Sequence, residues 1–278
     1  MSHPGDWLAR ARAAAEAPPL RPREPLHLEV DGCSVQVGSI ERATAETMAA
    51  AGLPLRRLPG LRVEAAGLAL AGPIGAGWQV DAPVGPALAA IAAWLRQAGL
   101  AGRWRDEPLA VVDSADRAVA EIERSVVRVL GLTTSAVHLV GFSFDGKGTW
   151  VQQRAFDKAT DPGLWDTLMG GQVAAGETID SALERETWEE AGLDVAMLVD
   201  LRRHAPITIR RPVPEGYMVE RLDVYTARLP EGTLPCNRDG EVVRFECLDA
   251  AALDARLARG EFTLEASLIL ASTAAPRR

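Results

Sequence analysis

Near the start of the chain, Leu26, Leu28 and Val30 alternate with polar neighbours, and Cys33, Val35 and Val37 do the same after Asp31-Gly32. Period-two alternation puts each set on one face of a strand, and an Asp-Gly pair accepts the positive φ of a tight turn, so a hairpin is predicted here. A short helix is expected before it, from Asp6 as N-cap to a stop at Pro18-Pro19. Further on the period changes to that of helices. One helix is predicted from about Pro86 to Gly99, with Leu88, Ile91 and Leu95 on its stripe. A second is predicted from about Ser114 to Gly131, burying Val119, Ile122, Val126 and either Val129 or Leu130. Residues 109–112 read as a buried strand between them.

From residue 136 the texture returns to strands. A second hairpin is predicted from 136–144, the turn Asp145-Gly146 and 149–154, and 166–173 continues strand-like into adjacent glycines. Thr133-Thr134-Ser135 reads as a hinge, because small hydroxyl residues compete with regular backbone bonding. The expected division is therefore an α+β domain over 1–133 and a second domain over 134–278. A length of 278 residues suits two cores, and 47% hydrophobic with 24% charged residues suits a soluble globular chain.

A net charge of −8 argues against binding a nucleic-acid polymer or an anionic membrane surface, both of which call for basic patches. The opening residues lack a secretory apolar stretch and no later run is long enough to span a bilayer, so a cytoplasmic protein is expected. Three cysteines without a CxxC spacing and four scattered histidines predict free thiols and no structural metal. Gly72-Pro73-Ile74-Gly75-Ala76-Gly77 lacks the order of a dinucleotide fingerprint and reads as a turn. Gly141-Phe142-Ser143-Phe144-Asp145 misses the nucleophile elbow by its last glycine. His27, His138 and His204 read as hydrogen-bonded strand histidines.

The segment GQVAAGETIDSALERETWEEAGL, residues 171–193, carries the chemistry. Thr178 can cap a helix over 179–190, and Gly192 supplies a left-handed end onto which Leu193 folds back. At about 100° per residue Ile179, Ala182 and Leu183 share a stripe that runs on into Glu186 and Glu190, with Glu189 at its margin. A solvated acidic face would lie opposite the apolar residues, whereas here the carboxylates are aimed at the body of the protein. Clustered carboxylates offering only oxygen suit Mg²⁺ or Mn²⁺. Trp188 falls opposite Ile179, on a face that ought to be solvated, and is expected to pack against residues 1–133 or against a second subunit in a homodimer.

Gly171, Glu177, Arg185, Glu186, Glu189, Glu190 and Gly192 together resemble the Nudix box of the Nudix hydrolases, with Thr187 where an aliphatic residue is usual. The resemblance implies an α/β fold: a Nudix α/β/α sandwich with a mixed sheet, preceded by the smaller α+β domain. It also implies metal-dependent hydrolysis of a diphosphate bond in a small molecule. Glu186, Glu189 and Glu190 match metal-binding positions, the Gly170 carbonyl and Glu241 are further candidate ligands, and Arg185 orients a carboxylate. Glu177 and Gly171 shape the loop. Glu190 and Glu241 are alternative general bases. The flanks, WVQQRAFDKATDPGLWDTLMGG and LPEGTLPCNRDGEVVRF, are similar to Nudix proteins associated with thiamine pyrophosphokinase, which implies thiamine diphosphate or its damaged analogues as substrate. Alternatives are ADP-ribose-type substrates, a non-catalytic diphosphate sensor, and isomerisation of an isoprenoid diphosphate, which would want a catalytic cysteine. Trp150, Phe156, Trp165 and Tyr217 are the aromatics that could stack on an organic ring.

Overall fold

The computed structural model describes residues 6–59, 64–65, 68–69 and 76–273. Most of the glycine-rich turn at 72–77 lies outside the described residues, and Gly77 opens the strand Gly77–Val80. The first hairpin is as the alternation predicts. Strands Arg23–Val30 and Cys33–Glu41 pair antiparallel up to Val30 opposite Cys33, and the turn between them holds Asp31 at φ 50° and Gly32 at φ 75°. Gly77–Val80 adds in parallel on the other side of Arg23–Val30, and Leu55–Leu58 completes the four-stranded sheet. Helices Arg42–Ala50 and Val84–Gln97 pack on it, the second burying Leu88, Ile91 and Leu95.

Two expectations fail in the linking region. The helix predicted over 114–131 is instead a hairpin of Pro108–Val112 with Ala118–Glu123, followed by a 3₁₀ turn at Arg124–Val126. Local bonding decides it: the Asp113 carboxylate accepts from the backbone N–H of Ala115 (2.8 Å) and of Arg117 (3.0 Å), and Asp116 takes φ 58°. A turn closed this way leaves Ala118–Glu123 extended, and the apolar spacing that suggested a helix is shared out between the strand and the 3₁₀ turn. The run Thr133-Thr134-Ser135 is no hinge either. It opens Thr133–Phe142, where its three residues pair in parallel with Val219, Glu220 and Arg221.

Thr133–Phe142 lies at the centre of an eight-stranded mixed sheet. Strand alternation sends Val137 and Leu139 to one face, where they meet Ala182, Leu183 and Ala191 of the helix Ile179–Ala191. Ala136 and Val140 face the other way, toward Ala266, Ile269 and Leu270 of the helix Leu264–Thr273. This is the α/β/α sandwich. The first helix of the chain, Asp6–Ala15, also belongs to this second face: Ala15 is buried there, with Trp7, Leu8 and Ala11 packed around it. Tyr217 then donates its hydroxyl to the Ala17 carbonyl (3.0 Å).

The two regions are tied together directly. Tyr217 N–H donates to the Arg128 carbonyl (2.9 Å), Ala175 N–H donates to the Pro108 carbonyl (3.1 Å), and Arg221 pairs with Asp116. Gly216, at φ 147°, lies so close to the Arg128 carbonyl that a Cβ would strike it.

Because the first helix covers the C-terminal sheet, deleting residues 1–17 exposes that apolar face. Loss of these contacts costs on the order of 3 kcal/mol, or roughly 6–12 °C in thermal midpoint for a domain of this size. An unchanged midpoint in a differential scanning experiment contradicts this packing.

Candidate active site

The helix Ile179–Ala191 is bounded as its sequence predicts. Thr178 accepts from Ser181 N–H, Ser181 closes the capping box in return, and Gly192 ends the helix at φ 64°. Leu193 folds back and donates to the Thr187 carbonyl (3.3 Å). Thr187 is fully buried in the apolar phase, and its hydroxyl has no hydrogen-bond partner, so it fills an aliphatic position with a polar group. The acidic half of the stripe is buried too. Glu190 is 1% exposed, whereas Glu189 at the margin is half-exposed.

Gly170 and Gly171 explain how carboxylates reach a sheet. Strand Met169–Gln172 sets Gly170 beside His138 and Gly171 beside Val137, so the pair present opposite faces. A Cβ on Gly171 would overlap the Glu186 carboxylate, and one on Gly170 would overlap the His138 ring. The missing side chains make room for an acid on one face and an imidazole on the other.

Arg185 organises the acids. It grips both oxygens of Glu177 through Nε (2.6 Å) and Nη2 (2.8 Å), and its Nη1 donates to Glu186 (2.8 Å) and Glu189 (3.1 Å). Its Nη2 also reaches the Gln172 carbonyl (3.1 Å), which anchors the helix to the strand. Glu177 in turn accepts from Ala174 N–H (2.9 Å), shaping the loop before the helix. Glu190 accepts from Gln152 Nε2 (2.8 Å) and Gly170 N–H (2.9 Å). Burial pushes the Glu190 carboxyl up to about 7, with Lys158 opposing and Glu186 adding to the shift. Burial also raises Glu186, Arg185 opposes it, and the charges of Glu189 and Glu241 add.

Glu241, from the far end of the chain, joins this group. Lys158 Nζ lies 3.5 Å from Glu190 and forms an ion pair with Glu241. Partial burial disfavours the Glu241 anion, but Lys158, Arg154 and Arg105 outweigh it and hold its carboxyl below the usual range. Among the described residues no three acidic, histidine or cysteine side chains form a preassembled cation site, since Glu186 and Glu189 turn to Arg185. The donor set itself fits a hard divalent cation. It is all oxygen, its like charges are crowded, and a cation, the Lys158 ammonium, already sits between Glu190 and Glu241.

Arg185, Glu186, Glu189, Lys158 and Glu241 line a cavity of about 740 Å³, a size suited to a small molecule, and the buried Glu190 is held against Gly170 and Lys158 of that lining. His138, Asp166, Glu220 and Glu265 line it as well, and Arg103, Arg105, Arg124 and Arg128 of the N-terminal region form part of its wall. The N-terminal region thus reaches the site, but not through Trp188 as expected. Trp188 is 49% exposed, with the Arg238 guanidinium 3.8 Å from its ring centroid. That cation–π contact accounts for a tryptophan on the outer face.

None of the four candidate aromatics lines the cavity: Trp165 is core, Tyr217 holds Ala17, Trp150 packs by the helix and Phe156 is exposed. His138, read as structural, does line it, and burial keeps its imidazole neutral. Lys158, Asp166, Glu220 and Glu265 were not anticipated. Glu220 had a signal, since it shares a strand phase with Met218, Leu222 and Val224, as Glu190 shares a helical one with Leu183.

A profile described as the NUDIX domain matches residues 132–266. Nudix hydrolase 20, chloroplastic, of Arabidopsis thaliana is 30% identical over 150 residues, 51% of this chain and 38% of that protein. An isopentenyl-diphosphate Delta-isomerase of Leifsonia xyli subsp. xyli is 33% identical over 147 residues, 52% of this chain and 74% of that protein. The crystal structure of DR0079 from Deinococcus radiodurans aligns at a TM-score of 0.50 and 25% identity, over 60% of this chain and 100% of that one. The chain spans between about a third and about half of the length of the first curated relatives it matches. The profile match, the sandwich and the acidic helix coincide on the same residues, and through them the chain belongs to the Nudix family.

Proposed function

We propose that the chain is a metal-dependent hydrolase that cleaves a diphosphate bond in a small organic diphosphate, with thiamine diphosphate and its damaged analogues the first substrates to test. The observation that carries this reading is the placing of Glu186 and Glu190 on a buried helical stripe beside a cavity of small-molecule size. Glu186, Glu189 and Glu190, with Glu241 and the Gly170 carbonyl, are the groups to hold Mg²⁺ or Mn²⁺. The ion would neutralise the diphosphate and make a bound water acidic enough to yield hydroxide near neutral pH. Arg185 keeps Glu186 and Glu189 in place, and Glu190 or Glu241 takes the proton of the attacking water. The four arginines of the N-terminal region supply positive charge on the wall across which an anionic substrate enters.

The Leifsonia relative raises isoprenoid diphosphate isomerisation as a second reading. The described lining of the cavity contains no cysteine, and Cys33, Cys236 and Cys247 are all exposed, which favours hydrolysis. No helix of the described residues is long and apolar enough to cross a membrane.

Glu190→Gln keeps the shape of the site, removes a like charge and is expected to lower turnover by about 100-fold or more with the fold intact. Phosphate release from thiamine diphosphate, ADP-ribose and nucleoside triphosphates with Mg²⁺ or Mn²⁺ measures it. Wild-type turnover in the folded variant, or no release from any substrate by the wild type, contradicts the reading.

The buried acids also set a pH dependence. Glu190 and Glu265 are both pushed up to about 7, so between the ordinary carboxylate range and pH 7 these two groups hold more protons folded than unfolded and outnumber His138, the one buried imidazole lowered in the opposite sense. Stability of the chelator-treated protein should therefore fall as pH rises through that window and level off above it. Thermal midpoints at pH 5, 6, 7 and 8 check this, and Glu190→Gln should flatten the slope. A midpoint that climbs from pH 5 to 7 in the wild type refutes the assignment.

A further inference from the structure

The cavity lining across strand Met169–Gln172 from Glu186, on the face that Gly170 turns to His138, has a chemistry of its own. Glu220 is 7% exposed and lines the cavity, yet no cation pairs with it among the described residues. Its Oε1 accepts from Thr134 Oγ1 (3.2 Å) and from Gln172 Nε2 (3.0 Å), while Oε2 carries no hydrogen bond. Its acidic neighbours are matched: Asp166 by Arg154 at 3.2 Å, and Glu265 by Arg211 at 3.4 Å. Glu220 is the buried charge left over, and burying an unpaired charge is strongly unfavourable.

The groups beside it are acceptors as well. Thr167 Oγ1 donates its one proton to the Met169 carbonyl (2.8 Å), so in its 3.1 Å contact with His138 Nδ1 the ring must be the donor. With Nδ1 engaged by Thr167, Nε2 is the ring atom left to meet a ligand, and among the described residues no hydrogen bond to it is formed although His138 is only 6% exposed and lines the cavity. Gln172 spends its amide N–H on Glu220, which leaves its Oε1 buried and unpartnered. Of these, the amide oxygen is sealed without a partner, while the free carboxylate oxygen of Glu220 and the ring of His138 open to the same cavity, where no cation of the described residues meets them.

We propose that Glu220, His138 and Gln172 form the subsite for a nitrogenous cation on the organic half of the substrate, such as a protonated amine, an amidine or a cationic N-heterocycle bearing an amino group. The proposal rests on the reading of the cavity as an organic-diphosphate site. A ligand of this class supplies what the subsite lacks, a positive charge for Glu220 and an N–H donor for His138, while Gln172 holds the Glu220 carboxylate in place. A phosphate at the same place would meet an unpaired carboxylate, so the two parts of the lining fix the direction in which substrate lies, diphosphate toward Glu186 and cation toward Glu220. Specificity of this kind is strong, because a neutral head leaves buried polar groups unpaired.

The test uses Glu220→Gln, which keeps the acceptor for Thr134 and Gln172 but removes the charge, and Gln172→Met as a second variant. Two readings are taken on the full chain. The first is kcat and KM with Mg²⁺ on thiamine diphosphate, whose organic half is cationic, and on isopentenyl diphosphate, whose organic half is uncharged. The second is calorimetric binding of free thiamine and of benzamidine, which need neither metal nor turnover.

Glu220→Gln should raise KM for thiamine diphosphate at least tenfold with kcat within about threefold, and leave KM for isopentenyl diphosphate the same or lower, since the unpaired charge that disfavours a neutral head is gone. It should weaken binding of the free cations at least tenfold, with Gln172→Met giving a smaller loss in the same direction. Equal effects on the two diphosphates, unaltered cation binding in both variants, or a wild type that binds neither cation overturns the proposal. Cation binding lost in Glu220→Gln from a protein that hydrolyses no diphosphate would uphold the subsite and refute the hydrolase reading. Hydrolysis unaffected by either variant would do the reverse.

Discussion

Two carboxylates of like charge on the buried stripe of one helix are the constraint around which the C-terminal half of this protein is arranged. Glu186 and Glu190 are one turn apart and are pressed toward a sheet instead of toward water, which raises both and costs stability. The surroundings answer that cost residue by residue. Arg185 spreads its donors over Glu177, Glu186 and Glu189, Gln152 and the Gly170 N–H bond Glu190, and Lys158 stands between Glu190 and Glu241. Gly171 gives up its side chain so that Glu186 can fit at all. Such an arrangement offsets an unfavourable charge cluster without removing it, as a site requires if it is to bind an added cation.

The cavity is a joint product of the two regions. The acids come from the sandwich, while Arg103, Arg105, Arg124 and Arg128 add to the lining from a segment held in place by backbone bonds from Tyr217 to Arg128 and from Ala175 to Pro108. The second of these bonds lies close to the box helix, in the loop that Glu177 closes onto Ala174. On a chain with a net charge of −8, arginines lining one cavity with carboxylates create a local field that the overall charge does not suggest.

What could be read in advance was what is encoded locally. The Asp31-Gly32 turn, the stripe of Leu88, Ile91 and Leu95, the cap at Thr178 and the stop at Gly192 each depend on residues a few positions apart. The buried acidic stripe was legible for the same reason, since Ile179 to Glu190 lie within one helix. Local evidence misled where two periods fit the same residues, and at 118–126 the Asp113 turn decided for a strand. It misled again at Thr133-Thr134-Ser135, because hydroxyl residues suit a central strand when Glu220 is there to accept from Thr134. Trp188 does not pack against the N-terminal region as one arm of its expectation had it, and its ring meets the Arg238 guanidinium instead. Lys158, Glu241 and Arg105 meet only through tertiary folding, so the charge balance in the acidic cluster could not be read from spacing.

The account depends on the acidic cluster being a divalent-cation site, and direct titration of Mn²⁺ followed by electron paramagnetic resonance tests that without reference to any substrate. The wild-type protein should take up Mn²⁺ in competition with Mg²⁺, and Glu186→Gln combined with Glu190→Gln should abolish that uptake while the protein remains folded. Undiminished Mn²⁺ binding in the double variant, or none in the wild type, would contradict the account.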